Sequence, residues 1–130
     1  MPRLSEISED ECWELLGGSE LARIAWNGGS GPTILPVNYT ADGRSIWLRT
    51  GAHSSMTHEI DASPVAVLVD SIDAVTHEGW SVQLRGTVRA EYRAENVPEH
   101  VRELETWAEG VRPIWLHLVP DDVNGRRIGG

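Results

Sequence analysis

From Trp80 to Tyr92 the chain alternates without interruption. Trp80, Val82, Leu84, Gly86, Val88, Ala90 and Tyr92 fall on one parity, and Ser81, Gln83, Arg85, Thr87, Arg89 and Glu91 on the other. A period of two held over that length is the period of a strand with one buried face, and no helix satisfies it. Gly86, near the middle, permits the bulge or bend that closing a small barrel requires.

The remaining segments fit around this strand. Ser8 and Glu11 have capping-box spacing, with Ile7 and Cys12 placed as a hydrophobic staple. A short helix follows to about Leu16, with Cys12, Leu15 and Leu16 on one face and Gly17-Gly18 as its stop. In that position Cys12 reads as a small buried apolar side chain. Glu20 to Asn27 is a first strand, and residues 28–32, GGSGP, form a loop. Thr33 to Thr40 and Ser45 to Thr50 flank Asp42-Gly43, a strong hairpin signal. Pro36 cannot donate to a ladder, so its strand is bulged or at an edge there.

Ser54 and Ser55 are N-cap candidates for a helix to about Ala62, with Met56 and Ile60 as an inner pair and Pro64 as its end. Val65 to Val69 is a continuous apolar run, expected to be a strand covered on both sides, and Asp70 to Glu78 a polar loop. Asn96-Val97-Pro98-Glu99 is a second capping box, and Val97, Val101, Leu104 and Ala108 carry a helical stripe to Gly110. Ile114, Leu116 and Leu118 alternate with Trp115, His117 and Val119 in a last strand before Pro120, and the tail from Asp121 can be ordered only by docking on something. Six strands joined mostly by hairpins, with three short helices outside, make a mainly β fold, a closed or nearly closed antiparallel barrel.

At 130 residues this is a single domain, 1–130. The N-terminus lacks the pattern of a signal peptide and no apolar run is long enough to span a bilayer, so a cytoplasmic protein is expected. The formal charge of −9 argues against a nucleic acid partner, whose phosphates are held by Lys and Arg. All 11 basic residues are Arg, which removes lysine from the chemistry as Schiff base, nucleophile or phosphate ligand. The five histidines show no ligand spacing with acidic support, so no metal site is expected. Nucleophile-elbow, P-loop and dinucleotide-binding patterns are absent.

One place gathers polar chemistry. Arg49 ends a strand, Thr50 follows it, and Ser54 and Ser55 stand at a helix start. A planar fixed cation, hydroxyls and backbone N–H groups together suit a phosphate monoester. They equally suit a capped helix beside a solvated strand-end charge. Pro36-Val37-Asn38-Tyr39 can lay backbone amides and the Asn38 amide along a planar ring, or can be an ordinary edge strand. Trp80 and Trp115, near strand starts, are the tryptophans best placed to stack on a ring.

Taken in order, ECWELL at 11–16, LARIAW at 21–26, ILPVNY at 34–39, IWLRT at 46–50, VAVLVD at 65–70, GWSVQLRGTVR at 79–89 and VNGRRIG at 123–129 resemble the pyridoxamine 5′-phosphate oxidase-like, FMN-binding split-barrel family, in its small actinobacterial-type branch. The resemblance implies a six-stranded split barrel, a homodimer with cofactor sites between subunits, and flavin-dependent oxidoreductase activity on an unknown substrate. By it, Pro36, Val37, Asn38 and Tyr39 run along the isoalloxazine and ribityl chain, and Arg49, Thr50, Ser54 and Ser55 hold the phosphate. Trp80, Ser81 and Gln83 border the ring, and Trp115 is placed to come from the partner subunit. One position departs: Ser55 stands where this branch commonly carries a phosphate-binding lysine. Two alternatives accompany this expectation, the deazaflavin F420 as cofactor and a non-catalytic binding module with weak or no flavin binding.

Overall fold

The computed structural model describes residues 4–51, 55–103 and 113–129, and at 51, 55, 56 and 113 the backbone only. In chain order the elements are β1 (Leu4–Ile7), α1 (Glu9–Gly17), β2 (Leu21–Gly28), β3 (Gly31–Asp42), β4 (Ser45–Gly51), α2 (Ser55–Ile60), β5 (Ser63–Ile72), β6 (Gly79–Glu91), a 3₁₀ turn (Ala94–Asn96), α3 (Glu99–Arg102) and β7 (Pro113–Ile128). The strands pair in the order β1-β7-β4-β3-β2-β5-β6, all antiparallel, and β6 returns to β7. Six of them close a barrel, and β1 adds a seventh beside the C-terminal half of β7.

The long alternating run is β6, and it seams the barrel shut. Its inward residues Val82, Leu84 and Val88 are fully buried, as are Ile24, Leu48, Val67, Leu116 and Leu118 from its neighbours. Each such side chain contributes about 1.5–3 kcal/mol by leaving water. The register shifts between Arg85 and Gly86, where Arg85 faces Asp122 and Gly86 faces Pro120, so Asp121 is the extra residue of a bulge. A Cβ on Gly86 would come within 3.0 Å of Leu118 Cδ1 and 3.1 Å of Pro120 Cα, so glycine lets β7 approach closely at the bend.

The same bulge corrects the reading of the tail. Pro120 does not end the last strand, because at a bulge its missing N–H breaks no ladder bond. β7 runs on to Ile128 between β1 and β6. The expected stretch before Pro120 is only its first half, and the tail docks on the barrel's own strands.

α1 begins at Ser8, whose Oγ accepts from the Glu11 amide at 3.2 Å. The Glu11 carboxylate pairs with Arg127 of β7. Cys12 and Leu16 are fully buried against the barrel, and Gly125 of β7 leaves the room that Cys12 and Ile7 occupy. Tyr39 Oη donates to the Leu16 carbonyl at 2.6 Å, satisfying the last turn of α1 from inside the barrel, and burial pushes its phenol up to about 12.

Several boundaries differ from expectation. The β3–β4 turn is centred on Gly43-Arg44, one residue later than read, because Asp42 pairs with Ser45. Gly43 has φ +60 and Arg44 is not among the positive-φ residues, as in a type II′ turn. The glycine-rich loop after β2 is itself a tight hairpin, with Gly28 paired to Gly31. Pro64 does not follow a helix end but lies inside β5, and β5 has one buried face, with Ala66 and Leu68 only half-buried on the other. Pro98 caps α3, not Asn96, and the stripe residues Leu104 and Ala108 lie outside the described residues. Val97 and Val101 pack on Trp47 and Trp115 in a second, smaller cluster on the barrel's outer face. Among the described residues no helix is long and apolar enough to cross a membrane.

Candidate functional site

In an antiparallel pair, residues directly opposite one another project to the same face. Tyr39, Leu48 and Leu116 face the interior, all nearly or fully buried. The residues beside them in sequence therefore face outward. Asn38 on β3 lies opposite Arg49 on β4, and Arg49 lies opposite Trp115 on β7. These three form one outer row, which the hairpin register and the barrel closure assemble from distant parts of the chain. Asn38 Nδ2 donates to the Glu20 carbonyl at 3.4 Å, which holds the amide at the start of β2.

Pro36 is on the same outer face, two residues back from Asn38. Among the described residues the pairing of β3 with β4 begins at Asn38, and Pro36 pairs with Arg23 of β2. This fits the expectation of a bulge or an edge at this proline. Val37 and Tyr39 alternate inward and their side chains belong to the core. Thr50 lies opposite Ile114, on the parity of the barrel interior. Ser54 and the side chain of Ser55 lie outside the described residues.

The other expected residues sit elsewhere. Ser81 and Gln83 face outward from β6, whereas Trp80 alternates inward and packs at the rim of the core. Gln83 lies opposite Leu68, Leu68 opposite Arg23, and Arg23 opposite Pro36. Gln83 and Pro36 are thus in one transverse row, three strand spacings or about 14 Å apart. Trp115 lies opposite Glu91, and the strand from Gln83 to Glu91 is about 26 Å long. One protomer therefore presents two groups, Asn38–Arg49–Trp115 and Ser81–Gln83, and does not bring them into contact.

Two features were not singled out in the sequence. Arg23 lies in the row between Pro36 and Gln83 and pairs with Asp70 at 3.6 Å. Its outward parity in β2 is the signal that would have found it. Trp47 and His117 stack with ring centroids 4.0 Å apart at 9°. They are opposite one another on β4 and β7, a pairing that no local pattern reveals.

The Ser45 hydroxyl donates to the Asp42 carbonyl at 2.8 Å and lies 2.9 Å from His117 Nε2. With its proton so engaged, Ser45 accepts from His117, which assigns the Nε2–H tautomer. Burial lowers the His117 pKa, with Asp42 working in the opposite direction. A histidine whose folded value lies below its unfolded one binds more protons when unfolded. Stability should therefore fall as pH drops through about 6.5, the ordinary histidine value, and be insensitive to this group above it. Urea midpoints from pH 5 to 8 for wild type and His117→Gln test this. The variant should lose part of the acid-side slope, and an unchanged slope would contradict the assignment.

Among the described residues no group of three or more His, Cys, Asp or Glu side chains could hold a metal ion. What the outer row offers is recognition: a guanidinium, a fixed carboxamide and a strand backbone, with Trp115 beside them buried against Val97 and Val101. It suits an anionic, planar, hydrogen-bonding ligand.

Comparison with known proteins agrees with this architecture. A family model described as pyridoxamine 5′-phosphate oxidase matches residues 8–127. An uncharacterised protein of Mycobacterium tuberculosis is 29% identical over 129 residues, covering 95% of this chain and 84% of its own. An FAD-binding protein of Mycobacterium smegmatis superposes with a TM-score of 0.75 at 24% identity, over 96% of this chain and 98% of its own. An FAD-binding protein of Mesorhizobium loti gives a TM-score of 0.81 at 16% identity, over 100% of both chains. The fold is the mainly β split barrel expected, with seven strands in place of six.

Proposed function

This chain belongs to the pyridoxamine 5′-phosphate oxidase family, and from that premise we propose that it is a flavin-binding protein, with FMN as cofactor, acting as a flavin-dependent oxidoreductase. The observation that carries the reading is the outer row of Asn38, Arg49 and Trp115 beside Pro36 of β3. Arg49 would hold the phosphate from the outer face, with the Thr50 backbone beside it and Ser54 and Ser55 following in sequence. The β3 backbone from Pro36 to Tyr39 and the Asn38 amide would align the ring. That solved neighbours are named as FAD-binding proteins supports a flavin in general. FMN is the flavin that the family resemblance implies, and a guanidinium in the outer row suits its one phosphate. When bound, the flavin supplies the electron and hydride chemistry, and the protein supplies position and electrostatics.

The reading includes a homodimer with the cofactor between subunits. Ser81 and Gln83 do not lie beside Arg49 within one barrel, and in this reading a second copy brings them to the ring. Ile34, 59% exposed, lines an outer groove of about 630 Å³ together with Ala25, Pro64 and Ala66 and the charged Arg85 and Asp121. An exposed surface with an apolar centre and charged rim suits self-association.

Ser55, at the position where this branch commonly carries lysine, favours a second reading: a split barrel with weak flavin affinity that binds F420 or serves as a non-catalytic module. Side-by-side titration with FMN, FAD and F420, followed by absorbance and thermal shift, separates the two. Saturation by FMN near one per chain is the expected result. Preference for F420, or no response to any of the three, would select the second.

A further inference from the structure

Gln83 and Arg85 share the outer parity of β6, two residues apart. One end of the Gln83 carboxamide lies 2.9 Å from Arg85 Nη2 and 3.2 Å from its Nε, and we assign that end as the oxygen, which accepts from both. A guanidinium has only donors, so the reverse orientation of the carboxamide would set N–H against N–H. Arg85 is in turn drawn toward β7, its Nη1 lying 3.6 Å from Asp122 Oδ2, on the residue directly opposite it and next to the bulge. The position of Arg85 thus fixes which end of the Gln83 carboxamide is turned away from it, and that end is the NH₂.

We propose that Arg85 is a positioning residue that makes Gln83 a hydrogen-bond donor toward the flavin, so that β6 meets an acceptor edge of the ring. This deepens the flavin reading above and rests on its placing of the ring beside β6. The isoalloxazine carries two carbonyl oxygens and ring nitrogens that accept, and one N–H that donates. A carboxamide free to rotate could serve either kind of atom, whereas one held by Arg85 serves the acceptors alone. A donor at that edge gains strength as the ring takes up negative charge, so it favours the reduced cofactor. Arg85 touches neither ring nor substrate in this account and acts through Gln83.

The test uses the full-length protein and four variants: Gln83→Leu, Arg85→Ala, Arg85→Lys and the Gln83→Leu/Arg85→Ala double. In the flavin-free protein, side-chain ¹⁵N relaxation should report a rigid Gln83 carboxamide in wild type and a mobile one in Arg85→Ala. Identical relaxation in the two proteins would overturn the lock. With FMN bound, Gln83→Leu and Arg85→Ala should each weaken affinity about fivefold, the scale of one hydrogen bond, and lower the flavin midpoint potential. Arg85→Lys should restore most of both. The double variant should be no worse than Gln83→Leu alone, since the two residues act as one unit. Additive losses, or an Arg85→Ala potential equal to wild type while Gln83→Leu shifts it, would overturn the positioning role. A wild-type protein that takes up no flavin would overturn the underlying reading, and this role with it, while the apo relaxation would still report on the lock.

Discussion

Replacing Arg49 with methionine is expected to lower affinity for FMN by about tenfold to a hundredfold, while leaving affinity for riboflavin nearly unchanged. Hydrogen bonds to a charged group are worth about 1.5–3 kcal/mol, and each 1.4 kcal/mol is tenfold in the dissociation constant. Methionine keeps the length and apolar stem of the side chain, so what is removed is the charge and the planar fork. Riboflavin has the ring and the ribityl chain without the phosphate, so it isolates the part of the site that Arg49 serves. Flavin fluorescence titration of both ligands reads the difference directly. Equal losses for both would mean that Arg49 supports the sheet and does not contact the phosphate.

The second large effect concerns the barrel. Leu84 is fully buried on β6, opposite Val67 of β5 and Val123 of β7, close to the bulge. Leu84→Ala should cost about 2–5 kcal/mol, the transfer of the lost carbons plus the cavity they leave. Val119→Ala on the same seam should cost under about 0.5 kcal/mol, because Val119 is 60% exposed. Urea unfolding of both variants measures the contrast. A Leu84→Ala cost below about 1 kcal/mol would contradict a packed, closed interior.

How much of this was legible in the chain depends on how local each signal is. β6 was readable because alternation is a property of consecutive residues, and α1 because Ser8 and the two glycines punctuate it. The adjacency of Asn38 and Arg49 follows from one tight turn, since the register of a hairpin is fixed at its loop. The turn centre was read one residue early because Asp42-Gly43 is the stronger turn dipeptide; the Asp42–Ser45 pairing settles it. β1 escaped because Leu4–Ile7 is short and mostly exposed, so it carries no period. The second half of β7 escaped because a proline reads as a stop until its partner Gly86 and the bulge are known.

The site was legible in the same uneven way. Arg49 and Asn38 were named in separate groups, and the hairpin register sets them opposite one another. Trp115 joins them only through the β4–β7 pairing, which is nonlocal. Val37 and Tyr39 were named alongside Asn38, and the alternation of β3 turns their side chains into the core instead. Trp80 likewise faces the opposite way from Ser81 and Gln83. The Arg85–Gln83 contact needed both side chains placed, because residues two apart on a strand share a face without necessarily touching.

We propose that this barrel carries a flavin on the face of Asn38 and Arg49, and the decisive measurement is the absorbance spectrum of the purified protein before and after addition of FMN. Flavin bands in the protein as isolated, or stoichiometric uptake on addition with a raised melting temperature, are expected. A colourless protein whose melting temperature does not move in excess FMN would contradict it.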